Sequence, residues 1–106
     1  MDAIRTILDL DGMIPIKTIL IIHHTDCGMT HQTDEAVRTR CKAKAATPEL
    51  AAELDDMEFG EITDMDESLR HDVALVKEKV GPYLSPDLQV CGYRYDIKTG
   101  KLHAVA

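Results

Sequence analysis

The sequence predicts an α/β domain: a reduced parallel sheet flanked by helices, with an antiparallel edge strand at the carboxyl end. Three observations carry that expectation. The run Thr18-Ile19-Leu20-Ile21-Ile22-His23 is β-branched and has no polar alternation, as suits a strand buried on both faces of a parallel sheet. The stretch after it carries repeated helix-start signals, each followed by apolar residues at helical spacing. The residues from Leu88 onward read as two strands joined by a tight turn.

Each element has its own local reason. Asp2 is suited to cap a short helix over residues 3–9, with Ile4, Ile7 and Leu8 on one face. Asp11-Gly12 ends it and Pro15 prevents its resumption. After the strand at 18–23, the polar stretch from His24 to Gln32 reads as a loop. Thr33, followed by Asp34 and Glu35, opens a second helix with acids in its first turn. Its apolar face is thin. Thr47-Pro48-Glu49 pairs a capping threonine with proline at the first helical position, and Leu50, Leu54 and Met57 follow at helical spacing up to Phe59-Gly60. The longest helix is expected from about Asp64 to Val80, where Met65, Leu69, Val73, Val76 and Val80 form an apolar stripe that Gly81-Pro82 stops. Asp64 and Glu67 have capping-box spacing. Leu88 to Tyr95 then reads as a strand, Asp96 to Gly100 as a turn, and Lys101 to Val105 as an alternating edge strand. A crossover between the first two strands is expected to be right-handed.

Size and composition narrow the functional classes. A chain of 106 residues is one domain, 1–106, that buries roughly two-thirds of its unfolded surface. Phe59 is the single phenylalanine and tryptophan is absent, so the core must be aliphatic. A net charge of −7 argues against a nucleic-acid partner, because phosphate binding needs concentrated Lys and Arg. No run approaches the ~20 apolar residues of a membrane span, so no membrane partner is expected. No secretory signal is visible, and three cysteines point to a reduced, cytoplasmic protein without disulfides.

The chemistry concentrates in His23-His24-Thr25-Asp26-Cys27-Gly28-Met29, just past the carboxyl end of a buried strand. His24 and Cys27 have spacing that lets both face one metal ion across a tight loop. Imidazole nitrogen and thiolate sulfur suit zinc, which takes about four ligands in a tetrahedron. Gly28 is expected to let the backbone turn closely behind the metal. Two ligands are half of such a site.

This segment, Ile19 to Met29, resembles the β-carbonic anhydrases, in which a strand ends in a His-x-x-Cys-Gly zinc loop. Ala3-Ile4-Arg5 is similar to the helix before that strand. Phe59-Gly60 and the stretch from Asp66 to Val73 are similar to the long helix after it. Gly92 to Asp96 and Thr99 to Leu102 are similar to the family's last strands. The resemblance implies a β-carbonic anhydrase-like fold, His24 and Cys27 as zinc ligands, carbon dioxide and bicarbonate as substrates, and a zinc lyase reaction. Hydrolysis of carbonyl sulfide is a related reaction within the same family.

The chain departs from that pattern at one place. The family carries a Cys-x-Asp-x-Arg motif upstream, supplying a further thiolate and an Asp-Arg dyad, and no cysteine precedes residue 24 here. The resemblance therefore implies a domain incomplete at its amino terminus, with the strand at 18–23 lacking a neighbour. An apolar edge of that kind invites pairing with another chain, so a homodimer or higher homo-oligomer is expected. Two copies bringing together two His24 and two Cys27 would form a closed, structural Cys2His2 site. The alternative to an enzyme is thus an inactive relative that dimerises, with zinc structural or absent.

The remaining candidates read more plainly. His23 is expected to be packed and hydrogen-bonded, His31 to be a solvated loop residue, and His71 and His103 to stand alone. Cys91, in a neighbouring strand, is a better substitute thiolate than Cys41, yet a small buried apolar role suits both. Arg38 and Arg40 fit a solvated helix face better than an anion site, and Asp55, Asp56 and Glu58 fit a solvated acidic face.

Overall fold

A computed structural model describes residues 2–106, with side chains described from Ile4 onward. The cap expected at Asp2 falls outside those described side chains. In chain order the elements are α1 (Asp2–Asp11), β1 (Thr18–His24), a 3-10 turn (Gly28–His31), α2 (Asp34–Lys44), α3 (Pro48–Glu53), α4 (Met65–Lys79), a second 3-10 turn (Gly81–Tyr83), β2 (Gln89–Asp96) and β3 (Lys101–Ala104). They divide between two compact units, one of Met1–Thr25 with Met65–Ala106 and one of Asp26–Asp64.

The first unit contains a three-stranded sheet in the order β1-β2-β3. β1 and β2 are parallel, in register from Thr18 opposite Gln89 to His24 opposite Tyr95. β3 returns antiparallel, from Asp96 opposite Lys101 to Tyr93 opposite Ala104. The α/β class and the antiparallel carboxyl-terminal strand are as the sequence predicts.

The core forms where the stripe of α4 meets one face of this sheet. Val73, Val76, Val80, Leu84 and Val90 form one buried cluster, with Ile4, Ile7, Leu8, Ile19, Ile21 and Leu88 packed against it. Leu69 and Val80 are fully buried. Burying an aliphatic side chain of this size stabilises by roughly 1.5–3 kcal/mol, so the α4 stripe is a principal source of the unit's stability. Gly92 makes the close approach possible: a Cβ there would lie 3.0 Å from Val73 Cγ2 and 3.5 Å from Ala106 Cβ. The chain end closes the same region, with Gly92 N–H donating to the Ala106 carbonyl at 2.8 Å.

Two expectations about the strands are corrected. β1 is not buried on both faces: its burial alternates, and Leu20 and Ile22 are 53% and 49% exposed. The reason is one-sided packing, since Ile19 and Ile21 meet the α1 and α4 residues while Leu20 and Ile22 point the other way. β3, by contrast, does not alternate in burial: every one of its residues is exposed.

In the second unit the threonine caps act as expected. Thr33 accepts from the Ala36 N–H at 3.0 Å and Thr47 from the Leu50 N–H at 3.2 Å. Pro48 takes the first helical position of α3. That helix stops at Glu53, short of the Leu54 and Met57 that its spacing had suggested. The Arg38 guanidinium takes the Leu54 carbonyl at 2.9 Å and the Met57 carbonyl at 2.8 Å, and its Cζ lies 5.9 Å from the Phe59 ring centroid. Arg38 is therefore a packing residue and not a solvated cation. Asp34 binds the N–H groups of Phe59 and Glu61, and Glu61 returns a bond to the Asp34 N–H.

Candidate metal centre

β1 delivers two adjacent histidines to opposite faces of the sheet. His23 lies on the α4 side, where its Nε2 is 3.1 Å from Asp72 Oδ2 and its side chain is 20% exposed. A carboxylate accepts, so Nε2 carries the donated proton, and the buried Nδ1 is left without a partner. This is the packed, bonded histidine that the sequence suggested. His24 lies on the exposed face with its Nδ1 2.9 Å from the Thr25 carbonyl oxygen. A carbonyl only accepts, so Nδ1–H donates and a neutral ring keeps its lone pair on Nε2. A metal-ligating histidine is commonly held this way, with the second nitrogen fixed by a backbone carbonyl.

The end of β1 is pinned by its neighbours. Thr25 N–H donates to the Tyr95 carbonyl at 2.9 Å, and Thr25 Oγ1 accepts from the Ile97 N–H at 3.1 Å. His24 itself stands opposite Tyr95, so the strand runs one residue further than the loop boundary placed at His24. These contacts from Tyr95 and Ile97 were not legible in the motif, because they come from the other end of the chain.

The second unit opens on Asp26 and Cys27. Asp26 has φ 53°, a left-handed conformation that a non-glycine residue adopts at a cost of about 1 kcal/mol or more. Its Oδ1 lies 2.6 Å from His31 Nε2, and both side chains are exposed. His31 is thus on the surface but paired. Cys27 precedes the 3-10 turn, and its carbonyl accepts from Thr30 N–H at 2.9 Å and Thr30 Oγ1 at 2.6 Å. A Cβ at Gly28 would meet no protein atom within 4 Å. The unusual backbone belongs to Asp26 instead.

The donor set fits zinc in kind and falls short in number. His24 offers a free Nε2 lone pair and Cys27 an unoxidised thiol three positions later. Among the described residues, no three His, Cys, Asp or Glu side chains come together as a metal-holding group. Cys91 is no replacement. It stands opposite Leu20 on β2, four residues below the level of His24, or roughly 13 Å along the strand. Cys41 sits on α2 in the second unit and is likewise reduced. An open zinc site ordinarily uses three protein ligands, so no hydrolytic step is assigned to these two residues alone.

The shifted carboxylates lie at the His24 end of the sheet. Arg94 donates to Asp66 at the first turn of α4, and that bond holds the Asp66 carboxyl below the ordinary carboxylate range and raises Arg94. Asp96 is also lowered, chiefly by the Lys98 N–H that caps the β2–β3 turn. Arg94 stands opposite His23, and Asp96 follows Tyr95, which stands opposite His24.

The architecture defines an α/β protein whose candidate ligands stand at and just past the carboxyl end of a parallel strand. No family model matches the chain. β-Carbonic anhydrase 1 of Mycobacterium tuberculosis is 26% identical over 109 aligned residues, which cover 98% of this chain and 59% of that protein. The solved carbonic anhydrase from Glaciozyma antarctica superposes with a TM-score of 0.76 at 34% identity, covering 99% of this chain and 60% of that one. The apo form of a carbon disulfide hydrolase superposes with a TM-score of 0.70 at 26% identity, covering 98% and 59%. By sequence and fold together, the chain is similar to β-carbonic anhydrases over nearly its whole length. It spans about 60% of the length of the relatives it matches. Among the described residues no helix is long and apolar enough to cross a membrane.

Proposed function

We propose that this chain is a β-carbonic anhydrase-like zinc protein whose reaction is the reversible hydration of carbon dioxide to bicarbonate. His24 and Cys27 are its two zinc ligands in this reading, and residues 1–106 act as one cytoplasmic domain. The observation that carries it is the state of His24: it ends a parallel strand with Nδ1 engaged by a backbone carbonyl and Nε2 open, ahead of Cys27. Zinc bound there supplies a water that ionises near neutral pH. The chain's own part is to hold the imidazole tautomer through Thr25 and to fix the loop through Thr30. A further donor has to come from outside this pair, because among the described residues no third ligand joins them.

The test is stopped-flow carbon dioxide hydration with the zinc-supplemented chain. A rate above buffer that falls to the buffer rate in His24→Ala supports the reading. A rate indistinguishable from buffer removes it for the isolated chain. That second outcome favours an inactive, self-associating relative, a reading supported by the incomplete donor set. The carbon disulfide hydrolase neighbour supports a third, in which carbonyl sulfide or a similar heteroallene is the substrate, and hydrogen sulfide release distinguishes it.

A further inference from the structure

The loop that carries Cys27 has a strained residue in front of it and a bridge across it. Asp26 takes φ 53°, a left-handed backbone that persists in a non-glycine residue only where the surroundings hold it. Its carboxylate reaches over the 3-10 turn Gly28–His31 to the last residue of that turn, with Oδ1 2.6 Å from His31 Nε2. A carboxylate only accepts, so His31 Nε2–H donates. Inside this bridge the Thr30 N–H and hydroxyl both donate to the Cys27 carbonyl, at 2.9 and 2.6 Å. Cys27 is therefore held from the residue before it and from the turn after it. All of these groups lie in the second unit.

The bridge is poorly placed to stabilise the fold. The His31 and Asp26 side chains are 64% and 67% exposed, and exposed pairs add little to global stability. Its effect is local. The left-handed Asp26 redirects the chain immediately before Cys27, and an untied backbone there relaxes toward the commoner regions. Tying the carboxylate across the turn keeps that redirection and narrows the orientations open to Cys27.

We propose that Asp26 and His31 are positioning residues for the Cys27 thiolate, their hydrogen bond fixing its direction before metal arrives. The inference rests on the reading of Cys27 as a zinc ligand. A loop ordered in advance loses less conformational freedom on binding, so the bridge raises metal affinity without touching the metal.

The experiment titrates the full chain with cobalt(II), whose thiolate-to-cobalt charge-transfer band reports Cys27 directly. Hydrogen exchange of the Thr30 amide, measured without metal, reads the loop itself. His31→Ala removes the donor. Asp26→Gly keeps the left-handed backbone without strain and removes the acceptor. His31→Gln and Asp26→Asn keep a donor and an acceptor in place. The first two variants are expected to weaken cobalt binding about tenfold and to speed Thr30 exchange, with the urea midpoint unmoved. The two conservative variants stay near wild type in both. Cobalt affinity or Thr30 exchange unchanged in His31→Ala overturns the proposal and leaves the zinc reading standing. Equal loss in the conservative variants makes these side chains ligands and not positioning residues, which also overturns it. So does a fall in the urea midpoint that accounts for the lost affinity. A wild type that takes up no cobalt removes the zinc reading and this inference with it.

Discussion

Adjacent histidines acquire different chemistry here through the period of a strand. Side chains alternate between faces, so His23 meets Asp72 under α4 while His24 faces outward with a fixed tautomer. That division was legible in the sequence because it needs only a strand ending at this point. The partners were not, since Asp72 and Tyr95 lie far along the chain. Arg38 was misread for a related reason: its face of α2 looks polar, but the carbonyls it binds belong to a neighbouring turn. At this scale the Asp66–Arg94 bond predicts a pH effect. Because the folded carboxyl is held below its unfolded value, the bond's contribution is full above about pH 4 and is lost as pH falls through the lower folded value. Urea denaturation at pH 7 and pH 3 should show wild type losing more stability over that interval than Asp66→Asn. Both groups are solvent-screened, so the difference is expected to be small.

Helices were more legible than strand burial. Caps and apolar periodicity are local signals, and Thr33, Thr47-Pro48 and the α4 stripe each state their element within a few residues. Whether a strand is covered on one face or two depends on what packs above it, which is a tertiary fact. β1 and β3 were therefore placed correctly and buried wrongly. The α4–β2 contact gives the sharpest prediction for an element. Gly92→Ala puts a methyl 3.0 Å from Val73 Cγ2, inside ordinary contact distance, and the helix must shift to admit it. Overpacking of this kind costs about 1–3 kcal/mol, to be read as a lower urea midpoint with the slope unchanged.

For the whole molecule, the similarity to β-carbonic anhydrases was visible in the sequence, from motifs spread along the chain. The structure adds where replacements are unavailable. Cys91 sits too far down β2, and the left-handed backbone of the loop falls at Asp26. It also shows a sheet face on which Leu20 and Ile22 are about half exposed. The site follows from one arrangement, in which a parallel strand presents His24 at its tip.

The claim on which the account turns is that His24 and Cys27 hold zinc at the end of β1. Native mass spectrometry of the zinc-supplemented chain tests it, because it reports bound metal and oligomer mass together. The account predicts zinc on wild type and its loss from both His24→Ala and Cys27→Ser, with the oligomer mass unchanged. A wild-type protein that stays metal-free with zinc in excess, or variants that keep the same zinc as wild type, would contradict it.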